Sequence, residues 1–451
     1  MSSAKQSLVD GPILSTLLRL SAPNVVALSA SAVITIAETA YVGRLGVASL
    51  AGVALVFPIV MLMQMMSAGA MGGTISGAIS RAIGAGNSAL AAAVACNAAV
   101  IGAAAGTLFA GLLWLLGPLA FRALGGSGTA LAEATAYAQV VAPAFIVIWL
   151  ANTFASIARG MGVMSQPALI LLAAGGLQIT AGGALAFGFG FLPAWGVAGV
   201  AAGQVIAFAL AAMAMLRLLK SPRVPLVFSF DISLINTKVM AELLRPGLLA
   251  CLSPIQSVAT VLVLTAIVAR FGEDALAGYS VGSRLEFLLI PVAFAIGVGS
   301  VPMVGTAIGS GNVARARRVA WLAGALAAAA LAIIGMIVAI APDVWARIFV
   351  SDGPVLEVTR EYLQIASIGY PFFGLALCLY FAAQGAAKVG GVIIAQTIRL
   401  VLIITGGWII LAQAWPLWTV FALSALAMFV QGLASLMAIR LSNWAPRGAK
   451  P

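Results

Sequence analysis

Apolar segments of about 20 residues recur along the whole chain, and they limit the possible folds more than any other feature. A helix of that length crosses a hydrocarbon core of about 30 Å. Of the 451 residues 63% are hydrophobic and only 8% are charged, whereas a soluble protein needs roughly a quarter of its residues charged. Backbone polar groups in lipid must be satisfied within the segment, which favours helices. The sequence therefore predicts an all-α integral membrane protein.

Twelve spans are predicted from the apolar runs. Their bounds are approximately 17–41, 47–72, 92–115, 137–158, 167–189, 195–217, 246–269, 280–304, 317–340, 361–384, 392–413 and 417–439. An even number of spans places both termini on the same side of the membrane.

The net charge of +11 is explained by the positive-inside rule, because no soluble domain is available to hold a nucleic-acid-binding patch. Sixteen of the 23 basic residues fall on the side of the termini: Lys5, Arg19, Arg81, Arg159, Arg217, Lys220, Arg223, Lys238, Arg245, Arg315, Arg317, Arg318, Lys388, Arg440, Arg447 and Lys450. Five fall opposite: Arg44, Arg122, Arg270, Arg347 and Arg360. Both termini are predicted to be cytoplasmic, in the inner membrane, and no removable signal peptide is predicted.

The chain contains an internal duplication. RLGVASLAG, which begins at Arg44, returns as RFGEDALAG from Arg270, and AIGAGN at 82–87 returns as AIGSGN at 307–312. Tyr137 and Tyr362 match in the same register. Because each half holds six spans, both halves enter the membrane from the same side, and a parallel repeat with two pseudo-symmetric six-helix lobes is predicted.

The predicted domains are an N-terminal lobe at 1–217, a cytoplasmic linker at 218–245 and a C-terminal lobe at 246–451. Within the linker, Asp231 is a candidate N-cap for a short amphipathic helix. Its apolar face would be formed by Ile232, Ile235, Val239 and Leu243. Such a helix is expected to lie on the cytoplasmic face and to connect the lobes.

The motifs GAGN and GSGN are predicted to be tight turns rather than phosphate loops. Neither is followed by Lys-Ser/Thr, and glycine permits the positive φ that a tight turn requires. The turn glycines are Gly84, Gly86, Gly309 and Gly311. The sequence has no histidine and no zinc-ligand spacing or nucleophile–base arrangement, so neither an enzyme nor a cofactor or metal site is predicted.

Polar residues inside spans are the candidate functional residues, because an ionisable group in lipid is costly. Glu38 in span one is predicted to face the protein interior, although a position at the membrane boundary is the alternative. Arg284 and Glu286 share span eight and point to different faces, so each needs its own partner, in either a structural or a transport role. Other candidates for a substrate cavity are Asn152, Gln204 and Gln256. Arg399 lies near enough to the cytoplasmic end of its span to snorkel.

Over nearly its whole length the chain resembles the multidrug and toxic compound extrusion (MATE) family. The resemblance rests on Pro23 followed by Glu38 in AETAYVGRLG and on the two AIG turns. It also rests on ARGMGVMSQP at 158–167 and on FGFGFLPAWGVAGVA at 187–201. It implies an antiporter that expels cationic, often aromatic compounds from the cell, functions as a monomer, and uses protons or sodium ions as the coupling ion.

The resemblance also implies site residues. Glu38 falls at the acidic position of the first span to which cation coupling is attributed, and Gln178 falls where many members have Asn. The predicted coupling residues are Glu38, Gln178 and Thr180, and Pro23 is a predicted conformational residue. Gly182 replaces a polar residue of span five, and Gln256 or Ser257 and Phe373 stand near acidic positions of spans seven and ten. Coupling is therefore predicted in the N-terminal lobe, with protons preferred.

Two alternatives remain. The same superfamily includes flippases for lipid-linked saccharides and exporters of specific metabolites. A flippase that handles diphosphates is expected to have several intramembrane cations, and only Arg284 and Arg399 are available. A lipid-modifying membrane enzyme is the alternative from another class, but it needs a cluster of carboxylates or nucleophiles at one membrane face.

Overall fold

A computed structural model describes residues 8–189, 193–222 and 224–444. Lys5, Arg223, Arg447 and Lys450 of the predicted cytoplasmic set lie outside the described residues, as do positions 190–192 of the FGFGFLPAWGVAGVA motif. In the first half of the chain the helices are α1 (Ile13–Leu45), α2 (Val47–Gln64), a π-helical segment (Met65–Met71), α3 (Gly72–Gly84), α4 (Ser88–Ala123), α5 (Gly128–Val141), α6 (Ala144–Gly160), α7 (Ser165–Phe187) and α8 (Val197–Leu219).

The second half repeats this order. Its helices are α9 (Thr237–Val268), α10 (Glu273–Gly309), α11 (Val313–Ile340), the short α12 (Asp343–Ala346), α13 (Pro354–Ala366), α14 (Tyr370–Gly385), α15 (Gly390–Ala412) and α16 (Trp418–Leu441). Short 3-10 turns follow α9 and connect α13 to α14. The described residues form no β-strand.

Every predicted span coincides with one helix or one run of helices, and none extends more than two residues beyond its ends. Ten helices of the described residues are long and apolar enough to cross a bilayer, or eleven when the pair α5 and α6 counts as one span. That pair bends by 51° between Val141 and Ala144, where Pro143 removes a backbone donor. The remaining predicted span, 17–41, lies inside α1. Pro23 also lies inside α1, in continuous helix rather than at a turn.

The chain forms two compact units. Among the described residues, one unit comprises 22–247 and the other comprises 8–21 together with 248–444. The boundaries fall within helices, so α1 contributes its first turns to the second unit and α9 contributes its first turns to the first unit. Arg315 fixes the amino-terminal segment to the second unit, donating from Nη2 to the carbonyl oxygens of Leu8 (3.3 Å) and Gly11 (2.6 Å).

The two repeated turns have the same structure. Gly84 and Gly309 end helices α3 and α10, and Gly86 and Gly311 adopt φ of 71° and 80°. The next residue in each turn, Asn87 or Asn312, then caps the following helix by accepting a backbone N–H from the residue three positions on, at 2.8 and 2.9 Å. Both motifs therefore form tight turns that contain a glycine with positive φ, as the sequence predicts.

The linker differs from the prediction of a short amphipathic helix. Asp231 accepts from the N–H of Ser233 at 2.8 Å and caps only a 3-10 turn, Ile232–Leu234. The side-chain hydrogen bond lowers the pKa of the Asp231 carboxyl. The helix that begins at Thr237 continues without a break to Val268, so Val239 and Leu243 belong to the first turns of the membrane helix α9. No separate interfacial helix is present in the described part of the linker.

Matching glycines let helices cross closely in both units. A Cβ on Gly160 of α6 would lie 2.7 Å from the backbone oxygen of Ser76, and a Cβ on Gly385 of α14 would lie 2.8 Å from that of Val301. These two pairs are equivalent positions of the repeat. In lipid the hydrophobic effect does not drive helices together, and small residues favour their association by letting the backbones approach closely.

Candidate functional site

Glu38 and Gln178 meet inside the N-terminal unit. The amide Nε2 of Gln178 in α7 donates to Oε2 of Glu38 in α1, at 3.0 Å. The other carboxylate oxygen, Oε1, is buried and has no hydrogen-bond partner in the described part of the chain. This places Glu38 inside the protein rather than at the membrane boundary, and it leaves one carboxylate oxygen open to a proton or a ligand.

Two tyrosines lie near this acid, and one of them is hydrogen-bonded to a second glutamine. Tyr41 and Tyr137 both lie close enough to Glu38 to experience its charge. The hydroxyl of Tyr137 donates to Oε1 of Gln204 at 3.2 Å, and Gln204 is only 3% exposed. Tyr41 occupies the space beside Gly182, since a Cβ at that glycine would lie 2.9 Å from the tyrosine oxygen. The site is therefore polar but contains one acid.

Two predicted N-lobe residues lie apart from Glu38. Thr180 is exposed, and its hydroxyl donates to the carbonyl oxygens of Gly176 and Leu177 in its own helix. The structure therefore does not bring Thr180 to the acid, because a residue two positions from Gln178 points to another face of the helix, and its coupling role stays a prediction. Asn152 is buried and donates to Oγ of Ser67 in the π-helical segment at 2.8 Å. It joins two helices and forms no hydrogen bond with the acid among the described residues.

In the C-terminal unit, Glu286 accepts a short hydrogen bond from the hydroxyl of Tyr362. Tyr362 is fully enclosed, with edge-to-face contacts to the rings of Tyr279 and Phe421 at 5.2 and 5.1 Å. Tyr362 is the repeat equivalent of Tyr137. The same tyrosine position therefore donates to a neutral amide in one unit and to a carboxylate in the other.

Arg399 lies in the same region and does not snorkel. Its side chain is 6% exposed, Nη1 donates to Oε1 of Gln431 at 3.0 Å, and the guanidinium lies 5.5 Å from the ring centre of Phe373. Its charge acts on Glu286, although the two do not form a direct ion pair within 4 Å among the described contacts. Phe373, which the resemblance predicts to stand near an acidic position of span ten, thus packs against the guanidinium of Arg399.

The remaining two candidates, Arg284 and Gln256, form their contacts outside this cluster. Arg284 is exposed and lies 5.6 Å from the ring centre of Phe349, so the structure separates it from Glu286. Gln256 donates from Nε2 to Oγ1 of Thr397 at 2.7 Å, and its Oε1 is buried without a partner among the described residues. Gln256 connects α9 to α15.

Sequence reasoning did not select the tyrosines. Nothing in the sequence distinguishes Tyr41 from an aromatic residue that packs against lipid or protein. For Tyr137 a signal was present, since Tyr137 and Tyr362 match in the repeat, and both of their hydroxyls bond buried polar groups. A duplicated buried hydroxyl is informative because it needs a partner in each copy.

The profile of the MatE family matches residues 23–184 and 250–409, once in each half of the chain. A "FAD transporter" of Shewanella oneidensis is 23% identical over 412 residues, which is 88% of both chains. A "probable multidrug resistance protein NorM" of Thermotoga maritima is 26% identical over 263 residues, 57% of this chain and 55% of that one.

Solved structures show the same twelve-helix, two-lobe fold. A MOP superfamily transporter from Pyrococcus furiosus, described as having a binding pocket of reverse polarity, superposes with a TM-score of 0.88 at 21% identity over 98% of both chains. An outward-facing multidrug resistance MATE family transporter gives the same values. Together the matching halves and the fold establish that this chain belongs to the MatE family of membrane transporters, which are not enzymes.

Proposed function

We propose that the protein is a secondary active exporter in which Glu38 exchanges the coupling ion. The observation that supports this most is the Glu38–Gln178 hydrogen bond, which leaves the buried Oε1 open. Removal from water penalises the ionised carboxylate, and each opening of the site to water removes that penalty. A group whose ionisation changes with access to water can link the movement of an ion to a conformational change.

The proposed coupling ion is the proton. The side chain in contact with Glu38 presents an N–H donor, not an oxygen, and a sodium site would need several oxygen ligands around one carboxylate. Among the neighbours named above, the oxygen atoms are the hydroxyls of Tyr41 and Tyr137 and the amide oxygen of Gln204, which already accepts the hydrogen bond of Tyr137. A proton requires only the open Oε1.

The proposed substrates are small cationic or amphipathic compounds, including drugs and toxic metabolites. Glu38 and Glu286 each supply a negative charge to a different unit, and Tyr41, Tyr137 and Tyr279 supply aromatic faces nearby. Aromatic rings and carboxylates are the groups that attract organic cations. In this proposal the two lobes alternate access to the two sides of the membrane, the termini lie in the cytoplasm, and efflux is driven by inward proton flow.

Efflux of ethidium from proteoliposomes tests the coupling residue, with pH and sodium gradients imposed separately. Glu38→Gln preserves the shape and keeps the group neutral, so we expect ethidium binding to persist while either gradient fails to drive efflux. Glu38→Asp should retain part of the rate, because Asp is usual at this position in the resembling family.

Glu286→Gln is the comparator, because Glu286 is also an acid bonded inside the protein. We expect it to transport cations more slowly but to keep its response to the pH gradient. Wild-type pumping by Glu38→Gln under either gradient would place coupling elsewhere and reject the N-lobe mechanism.

Export of a specific anionic metabolite is the second candidate function. The relative described as an FAD transporter aligns over 88% of both chains, and Arg399 provides an enclosed cation in the C-terminal unit. Counterflow of labelled FAD in the same vesicles distinguishes the two candidates: uptake against preloaded FAD without ethidium transport would favour the metabolite exporter.

A further inference from the structure

An apolar groove runs along the surface of the N-terminal unit beside α4, α6 and α8. It has a volume of about 550 Å³. Its floor contains the small residues Ala99, Ala103 and Ala104 of α4, and its walls include Phe154 and Phe228. Apart from Thr107 and Lys220, every described residue that lines it is apolar. A groove of this composition cannot hold a polar solute well, but it matches a hydrocarbon chain.

The groove is elongated along one helix. Ala99 and Thr107 are separated by two turns of α4, which corresponds to about 12 Å along the helix axis. The alanines allow a bound chain to approach the helix backbone closely, because a larger residue at these positions would fill the floor. Ala104 and Thr107 are exposed, so the groove is open towards the surroundings of the unit.

One wall comes from the segment after α8, and hydrogen bonds hold that wall in place. The N–H of Phe228 donates to the carbonyl of Leu219 at 2.8 Å, and Sγ of Cys96 donates to the carbonyl of Ser229 at 3.1 Å. Asn97 bonds the linker twice, donating to the carbonyl of Leu234 at 2.9 Å and accepting from the N–H of Asn236 at 3.1 Å. These hydrogen bonds hold the wall of the groove through contacts within the protein itself.

A single cation stands at one end of the groove. Lys220 caps the carboxyl end of α8, is exposed, and is the only charged residue among the described residues that line the groove. Phe230 and Ile232 of the adjoining linker are 53% and 75% exposed, as expected for a segment that rests at a membrane interface. An apolar groove that ends at a lysine at the interface is complementary to an anionic lipid, which has an apolar chain and a negatively charged headgroup.

We propose that this groove binds one anionic phospholipid of the cytoplasmic leaflet, with an acyl chain along α4 and the phosphate headgroup at Lys220. The proposal uses the cytoplasmic placement of the linker but is independent of the substrate and of the coupling residue. The lipid contacts the segment that connects the two lobes. The protein thus recognises lipid through the same segment that joins its halves.

Native mass spectrometry of protein released from nanodiscs with equal phosphatidylglycerol and phosphatidylethanolamine tests the proposal. We expect one retained phosphatidylglycerol per wild-type protein. Lys220→Gln should reduce the preference for phosphatidylglycerol over phosphatidylethanolamine about fivefold. Arg217→Gln is the matched control, because Arg217 is an exposed cation in the last turn of α8 outside the groove lining, and it should leave the preference unchanged.

Ala104→Phe fills the groove at an exposed position, where a larger side chain does not disturb the interior. It should remove the retained lipid while the thermal unfolding midpoint stays at the wild-type value. Retention of lipid by Ala104→Phe, or an unchanged preference in Lys220→Gln, would overturn the proposal. Displacement of the lipid by ethidium would overturn it as well, because the groove would then belong to the transport route.

Discussion

Within the described spans, each unit has an acid that is hydrogen-bonded to an uncharged side chain. Glu38 has the amide of Gln178, and Glu286 has the hydroxyl of Tyr362. Both acids could be predicted as candidates from the sequence, because a charged residue within an apolar span is rare and usually functional. Gln178 as a partner came only from the family resemblance, and Tyr362 and Arg399 as neighbours of Glu286 could not be predicted. Spacing along one helix gives the face of a residue but not which distant helix packs against it.

The equivalent tyrosines provide a paired prediction. Tyr362→Phe removes a hydrogen bond to a carboxylate, and Tyr137→Phe removes one to the neutral amide of Gln204. We expect losses of about 1.5–3 kcal/mol and about 0.5–1.5 kcal/mol in the free energy of unfolding, since bonds to charged groups contribute more. Chemical denaturation in the same detergent measures both. Equal losses would indicate that Glu286 is held neutral.

Asp343 provides a prediction outside the membrane spans. Arg360 donates to both of its carboxylate oxygens, at 2.6 and 2.8 Å, and Arg347 donates to Oδ2 at 3.0 Å. The hydrogen bonds from Arg360 hold the pKa of Asp343 down at about 2. Because the folded pKa is depressed, this stabilisation is complete above the unfolded value of about 3.9 and is lost as the pH falls through the folded value.

Asp343→Asn should therefore lower the unfolding midpoint at pH 7 by no more than about 2 °C, since the group is exposed to solvent. The difference from wild type should shrink as the pH falls from 4 towards 2. Differential scanning fluorimetry across that range measures it. A difference that persists unchanged at pH 2 would mean that the charge of Asp343 is not what stabilises this loop.

At the scale of helices, the sequence predicted which segments are helical, but it did not predict where a helix is bent or continues into the next segment. Each apolar run is helical, and the glycine turns appear where the repeated motifs placed them. The prediction of a separate linker helix was wrong, because Val239 and Leu243 belong to the same continuous helix as the rest of α9. The spacing of apolar residues does not show where a helix ends. The bend at Pro143 is a local effect of an imino acid, yet its angle depends on packing.

The close helix crossings supply an element-scale prediction. Gly160→Ala and Gly385→Ala each push a methyl group against a backbone oxygen, at 2.7 and 2.8 Å. We expect each to reduce the free energy of unfolding by about 1–3 kcal/mol. Gly183→Ala is the control, because a Cβ there meets nothing within 4 Å, and it should be neutral or stabilising. Equal behaviour of all three variants would show that the crossings tolerate a methyl group.

At the scale of the whole molecule, the duplication was the most informative sequence feature. It predicted two lobes, and the family profile matches each half separately. It did not predict that the unit boundaries lie inside α1 and α9, because a repeat in sequence fixes equivalence between copies and not the lobe on which a helix end packs.

Topology is tested by cysteine labelling in a background that lacks Cys96, Cys251 and Cys378, all of which are buried. The bias of basic residues predicts that a cysteine at Lys220 reacts from the cytoplasm and one at Arg122 from the opposite side. An impermeant maleimide applied to intact cells and to inverted vesicles distinguishes them. Labelling of both positions from one side would reject the span count and the parallel duplication together.

The attachment of residues 8–21 to the second unit determines how early this segment can form its final contacts during synthesis. The chain emerges from its amino end, yet the guanidinium that fixes Leu8 belongs to a residue 307 positions later. At about 5–20 residues per second, the ribosome needs roughly 15–60 s to deliver that arginine. The opening turns of the first helix must therefore wait, without their final partner, until most of the protein has been synthesised. Completion of the N-terminal segment is thus one of the last steps of biogenesis, and truncated chains that end before Arg315 cannot take it.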